Sequence, residues 1–225
     1  MLIGPIAQPL NANPVNGVNA ADPTNSSSSA NDRQGKSVTS PPATSQELFR
    51  FDSPAAASAW MATDDRVMGG VSQSRMGYDP AGHAVFEGVM SLDRNGGFAS
   101  VRAALSSPAP SPVPSFAQKP APPPATAKEA DYVLTVRGDG KRYKLNLRTA
   151  GRFDAVSYQA GFTTKPDAWI TVRLPATAFE PTFRGRRVNA PPLDPTLVRE
   201  AGLMIADKQD GLFALHIKAI TLEAR

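Results

Sequence analysis

The chain has 225 residues, 41% of them hydrophobic and 20% charged, which is enough apolar material for one sizeable core. Its formal charge of +4 is too diffuse to argue for nucleic acid as a partner, and the absence of cysteine excludes disulfides, thiol catalysis and zinc-thiolate sites. No apolar run approaches the roughly 20 residues of a transmembrane helix, so direct membrane insertion is not expected.

Met1 to Ser45 carries no aromatic residue and four charged ones among Pro, Asn, Ser and Ala. Such a segment buries too little to offset the entropy of ordering itself. It reads as a disordered leader, 1–45, ahead of a single domain, 46–225. The leader lacks the basic start and unbroken apolar segment of a secretory signal, and it is not Arg-rich as a mitochondrial transit peptide would be.

Glu47 to Phe51 reads as a short opening strand. Ser53-Pro54 ahead of Ala55 to Trp60 predicts a turn or two of helix, with Ser53 as N-cap and Pro54 at the first helical position. After the double glycine of Asp64 to Met76, His83–Val89 and Phe98–Ala103 are strand candidates, with Asn95-Gly96-Gly97 as a permissive turn between them. Ser106 to Pro124 holds eight prolines, which remove ladder donors, so it is expected as an exposed insertion within the domain.

Asp131 to Leu147 has the strongest pattern. Tyr132, Leu134 and Val136 alternate with Val133, Thr135 and Arg137, the run meets Asp139-Gly140, and Tyr143, Leu145 and Leu147 resume the alternation. Asp-Gly between alternating runs predicts a hairpin closed by a type I′ turn. Ser157–Thr163, Ala168–Leu174, Ala201–Ala206 and Leu212–Leu222 follow as strands, while Pro175 to Pro195 reads as largely irregular. Many short strands with Gly and Pro turns indicate an all-β sandwich or barrel.

Few residues point to chemistry. His83 and His216 both sit inside strand patterns, where a structural or solvent-facing role is the plainer reading. No Ser-His-Asp set, histidine metal cluster or phosphate-cradling loop stands out, so no catalytic residue, metal or cofactor is assigned. Asp64, Asp65, Asp207 and Asp210 lack a calcium-loop spacing and read as turn formers. Arg184, Arg186 and Arg187, in a proline-bounded loop, suit an acidic partner, lipid headgroups or phosphate, with a solvated loop as the plainer reading. Trp169 with nearby glycine turns suits a concave sugar site.

Six stretches in order carry a resemblance. They are Asp65 to Ser72, Phe86-Glu87-Gly88, Asn95 to Arg102, Arg137 to Tyr143, Phe183 to Arg186 and Asp207 to Phe213. Together they resemble the thirty-kilodalton complex I intermediate-associated protein family, assembly factors for respiratory NADH:ubiquinone oxidoreductase. The resemblance covers about Phe49 to Leu222. It implies a galactose-binding-like jelly-roll β-sandwich and a non-enzymatic assembly factor whose partners are subunits of a membrane electron-transfer complex, respiratory or photosynthetic. The chain departs from the pattern at Arg66, where a small residue is usual, in the proline-rich insertion, and in the leader. The last favours a bacterial cytoplasmic or plastid stromal version, beside the mitochondrial matrix. A carbohydrate-binding module with a glycan ligand is the alternative. The residues assigned to partner or ligand binding are Asp65, Arg66, Asp139, Trp169, Arg184, Arg186 and Arg187, with the Gly69-Gly70 and Gly96-Gly97 pairs expected to shape loops at one end of the sandwich, around Asp65 and Asp139.

Overall fold

The computed structural model describes residues 45–105, 129–149 and 156–225. The leader up to residue 44 and the proline-rich segment 106–124 lie outside them, whereas Ser45 already opens a strand. The elements are β1 (Ser45–Arg50), α1 (Pro54–Ser58), β2 (Met61–Ala62), β3 (Gln73–Asp79), β4 (His83–Met90), β5 (Ala99–Ala104), β6 (Ala130–Arg137), β7 (Arg142–Arg148), β8 (Ser157–Thr163), β9 (Trp169–Pro175), β10 (Glu180–Phe183), β11 (Arg186–Arg187), β12 (Glu200–Ile205) and β13 (Gly211–Ala224). The Ser53 hydroxyl caps α1 by accepting from the Ala56 N–H at 3.3 Å, and Pro54 opens the helix.

Two antiparallel sheets face each other. One has six strands, ordered β3-β4-β13-β6-β9, with β1 also paired to β13; the other has seven, ordered β11-β10-β8-β7-β12-β5-β2. β13 organises the first sheet. One of its edges is shared in succession by β4, along Gly211–Ile217, and by β1, along Ala219–Glu223, while β6 holds the other edge. A bulge between Ile217 and Ala219 marks the changeover.

The alternation in the sequence sets the layers. Phe86, Tyr132, Leu134, Val136, Leu215 and Ile217 point inward from the six-stranded sheet, and Tyr143, Leu145, Leu147, Leu203 and Ile205 from the other, all of them fully buried. Burying each such side chain contributes about 1.5–3 kcal/mol before entropy is counted.

Asp131 to Leu147 corrects the expected hairpin. β6 pairs with β13 and β9, β7 pairs with β12 and β8, and the two do not pair with each other. Their link is a sandwich corner that carries the chain from one sheet to the other. Gly140 has positive φ at +87° and Asp139 does not, so the two-residue turn predicted from Asp-Gly is not formed. Both runs alternate because each is the inner lining of a different layer. Pro175 to Pro195 also departs from expectation, since it contains the β10–β11 hairpin.

Candidate functional site: a groove across the seven-stranded sheet

The floor comes from the solvent side of the alternation that builds the core. Arg102, Gly202, Asn146 and Gln159 stand in register across β5, β12, β7 and β8. The neighbouring row is Ser100, Met204 and Lys144, and the row beyond Gly202 is Glu200, Arg148 and Ser157. These residues line a groove of about 590 Å³. Side chains lining it include four cations, Arg102, Lys144, Arg148 and Arg184, against two carboxylates, Glu200 and Asp207. Lys144 Nζ lies 2.6 Å from Asp207 Oδ1, and Arg148 lies 3.7 Å from Glu200. The surplus makes the groove cationic, and Asn146 Oδ1, buried in the floor, accepts from no protein donor.

One wall is the Asp64–Gly70 loop, held from below by two carboxylates. Asp64 accepts from the Ser74 N–H and hydroxyl at 2.9 and 2.6 Å and from the Ser100 N–H at 2.9 Å. Asp65, with 0% exposure, accepts from the Ser72 N–H and hydroxyl at 3.0 and 2.6 Å and from the N–H groups of Gly97 and Phe98 at 2.8 and 3.4 Å. Burial pushes the Asp65 carboxyl up, but the hydrogen bonds outweigh it and hold the group below the usual carboxylate range. A Cβ at Gly70 or at Gly96 would run into this carboxylate. The two glycine pairs therefore do meet at one end, closed around Asp65. Above it, Val67 and Met68 stay 63% and 61% exposed on a 3-10 turn and line the groove.

The opposite wall is the β10–β11 hairpin. Its two turn residues, Arg184 and Gly185, have φ of +49° and +76°, which is the positive-φ pair that the sequence suggests for Asp139-Gly140. The Arg184 guanidinium lies over the Phe183 ring at 5.2 Å.

The structure thus separates the residues singled out in the sequence. Arg184 lines the groove, and Arg66 is exposed beside Val67 and Met68 on the other wall. Arg186 and Arg187 are exposed on the outer strand of the hairpin, with Arg187 3.2 Å from Glu180. Asp65 is buried and cannot itself meet a partner; it braces the wall. Asp139 does similar work at the sandwich corner, accepting from the Lys141 and Ala214 N–H groups at 3.0 and 3.2 Å and from the Tyr143 hydroxyl at 3.0 Å. Burial, followed by the Asp139 charge and hydrogen bond, pushes the Tyr143 phenol up. Trp169 is not at the groove. It stands on β9 in the six-stranded sheet, with Lys218 Nζ 4.5 Å and Arg137 5.4 Å from its ring. It offers no free platform to a sugar. The floor residues Asn146, Gln159 and Met204 were not singled out, although the polar half of the Lys144-Asn146-Arg148 alternation is their signal.

Comparison with solved structures places the architecture. The family 11 carbohydrate-binding module of a cellulosomal cellulase from Clostridium thermocellum superposes with a TM-score of 0.50 at 13% identity, covering 81% of this chain and 95% of that one. A family 11 module solved in solution gives 0.52 at 12% identity, with 83% and 98% covered. At such identities the likeness shows the fold alone, a galactose-binding-like jelly-roll sandwich. The sequence narrows this further. The profile of the Complex I intermediate-associated protein 30 family matches residues 49–217, and the chain belongs to that family. Complex I intermediate-associated protein 30, mitochondrial, of Drosophila melanogaster is 28% identical over 202 residues, which are 81% of this chain. The chain spans 64% of that relative's length. Among the described residues, no helix is long and apolar enough to cross a membrane.

Proposed function

We propose that this chain is a non-enzymatic binding and assembly factor for a membrane-bound electron-transfer complex, with NADH dehydrogenase complex I as the first client to test. The groove receives a segment of the client. The carrying observation is the family match, which runs from Phe49 to Ile217 and so takes in both walls and the whole floor. The chemistry of the groove suits the task. Rows of amide, guanidinium and ammonium groups, a thioether floor at Met204 and a cationic surplus can hold an extended, carboxylate-bearing segment without chemical change. Arg186 and Arg187 extend the cationic rim on one side and Arg66 on the other. The site of action would be the compartment of the client, in the mitochondrial matrix, the plastid stroma or a bacterial cytoplasm.

A glycan fits less well. Phe98 and Phe183 are the aromatic residues among those lining the groove, and the floor strands offer it no aromatic face on which sugar rings would stack. The test is affinity capture of the full chain from its native cells, with identification of what co-purifies. Subunits of a membrane-bound NADH dehydrogenase in the wild-type eluate, depleted from the eluate of the Met204→Glu variant, are the expected outcome. Retention on a glycan array without any such subunit would overturn this reading in favour of a carbohydrate-binding module.

A further inference from the structure

The outer face of the six-stranded sheet brings together the only two histidines of the chain, 133 residues apart in sequence. His83 opens β4, His216 lies on β13 opposite Val85, two residues along β4 from His83, and Asp79 closes β3 directly opposite His83. His83 Nε2 is 2.9 Å from His216 Nδ1, and Asp79 Oδ2 is 3.7 Å from His83 Nε2. All three donor atoms lie within 4.8 Å of one another. In a tetrahedral zinc site with bonds of about 2.0–2.1 Å, neighbouring donors stand roughly 3.3 Å apart. The two measured separations bracket that value.

We propose that Asp79, His83 and His216 form a binding site for a divalent transition-metal ion, Zn²⁺ in the first place. Two imidazoles and one carboxylate make a borderline donor set that suits zinc, and three protein donors leave a fourth position for water or a partner's side chain.

The surroundings hold these donors in place. The other Asp79 oxygen, Oδ1, accepts from the Ala81 N–H at 2.8 Å, which aims Oδ2 at the imidazoles. Trp169 stands edge-on to His83, with ring centroids 5.2 Å apart, and walls the pair off. The charged groups facing the site are Asp79 and Glu87, with Arg137 as the opposing cation. Arg137 lies 3.2 Å from Nδ1 and 3.5 Å from Nε2 of His216. Arg137 donates to the His216 ring, and a metal ion bound at Nδ1 would take the place of that contact.

The test uses the full chain without a histidine tag, titrated with ZnCl₂ by calorimetry and with Co²⁺ by visible absorption. One equivalent should bind, with the intense visible bands of a four-coordinate cobalt site. At zinc about a hundredfold above Kd, the melting temperature should rise by roughly 5–10 °C. His216→Gln should abolish binding, Asp79→Asn should weaken it by about tenfold or more, and Arg137→Gln, by removing the opposing cation, should tighten it. Should His216→Gln fail to fold, the Asp79→Asn and Arg137→Gln changes, at half-buried positions, still read the site. Absence of saturable binding at free zinc of about 100 µM, or zinc binding that neither Asp79→Asn nor His216→Gln weakens, would overturn the proposal.

Discussion

The outer faces of the two sheets carry their polar groups in opposite ways. On the seven-stranded sheet, long side chains stand in register across four strands and lie between two raised loops, leaving about 590 Å³ open. On the six-stranded sheet, rings and a carboxylate converge on one point, with His83 only 3% exposed behind Trp169. The first face, as proposed, would recognise by charge and shape spread over many atoms, so single changes should erode it. The second, as proposed, would work through three donor atoms, so a single change should cost it about tenfold or more. The same pleat produces both, because period-2 alternation leaves each sheet one face to spend outside the core.

The largest effect should come from removing the brace under the groove wall. Asp65→Ala leaves the donors of Ser72, Gly97 and Phe98 without their acceptor in a buried place, at about 1–3 kcal/mol each when unpaired. A loss of roughly 3 kcal/mol or more in urea unfolding is expected, together with loss of client capture. A loss below about 1 kcal/mol would show that the loop stands without its carboxylate.

Acid should probe the same brace. The folded-state pKa of Asp65 is depressed, so its contribution is complete above the unfolded value near 4 and is lost as pH falls through the folded one. The melting temperature should therefore drop below about pH 4, and Asp65→Asn should flatten that drop. An unchanged slope in the variant would place the acid sensitivity elsewhere.

Met204→Glu separates the two faces. Met204 stands on the groove floor beside Lys144, and a new carboxylate there fills space and cancels part of the cationic surplus. Client affinity should fall by about tenfold, or about 1.4 kcal/mol, while zinc titration stays as in the wild type. Loss of both would mean that the faces are coupled through the core.

The smallest effect on the fold is expected from replacing Arg184, Arg186 and Arg187 together by Ala. Exposed charges contribute little, so stability should change by less than about 1 kcal/mol. Client capture should weaken several-fold and become less salt-sensitive, as expected for charges at a rim. Unchanged recovery at low and high salt would make the hairpin a solvated loop.

What the sequence disclosed follows from which interactions are local. β8 is found where the alternation puts it, and Ser53-Pro54 starts α1, because pleat and cap are fixed within a few residues. Gly140 takes the positive φ its place suggests, but the Asp139-Gly140 hairpin turn is not formed, because pairing is not local. β6 found β13 and β9, some 80 and 35 residues away, and so left β7 to the other layer. Asp65 reads in sequence as an exposed turn former beside glycines. Its burial depends on Ser72, Gly97 and Phe98 closing around it, contacts between segments that no spacing rule connects. The two histidines meet only once β4 and β13 are in register, so each alone gave no sign of the other. Trp169 was visible as an aromatic on the polar side of its strand, yet which sheet that strand joins was not.

β13 has one more consequence, for the order in which the molecule can be made. It sits between all its partners in space but follows all of them in the chain, since β1, β4 and β6 precede it. During synthesis those strands emerge with their central neighbour still missing, and the apolar residues Phe86, Leu134 and Val136 have nothing to close the layer between them. Sheet completion therefore waits for Gly211 to Ala224 to leave the ribosome, a topology of long-range pairings that folds slowly and exposes unpaired edges meanwhile. A nascent chain stalled before residue 211 should be held by chaperones and cut readily by protease, and one whose Arg225 is followed by a linker long enough to bring β13 out of the ribosome should resist both.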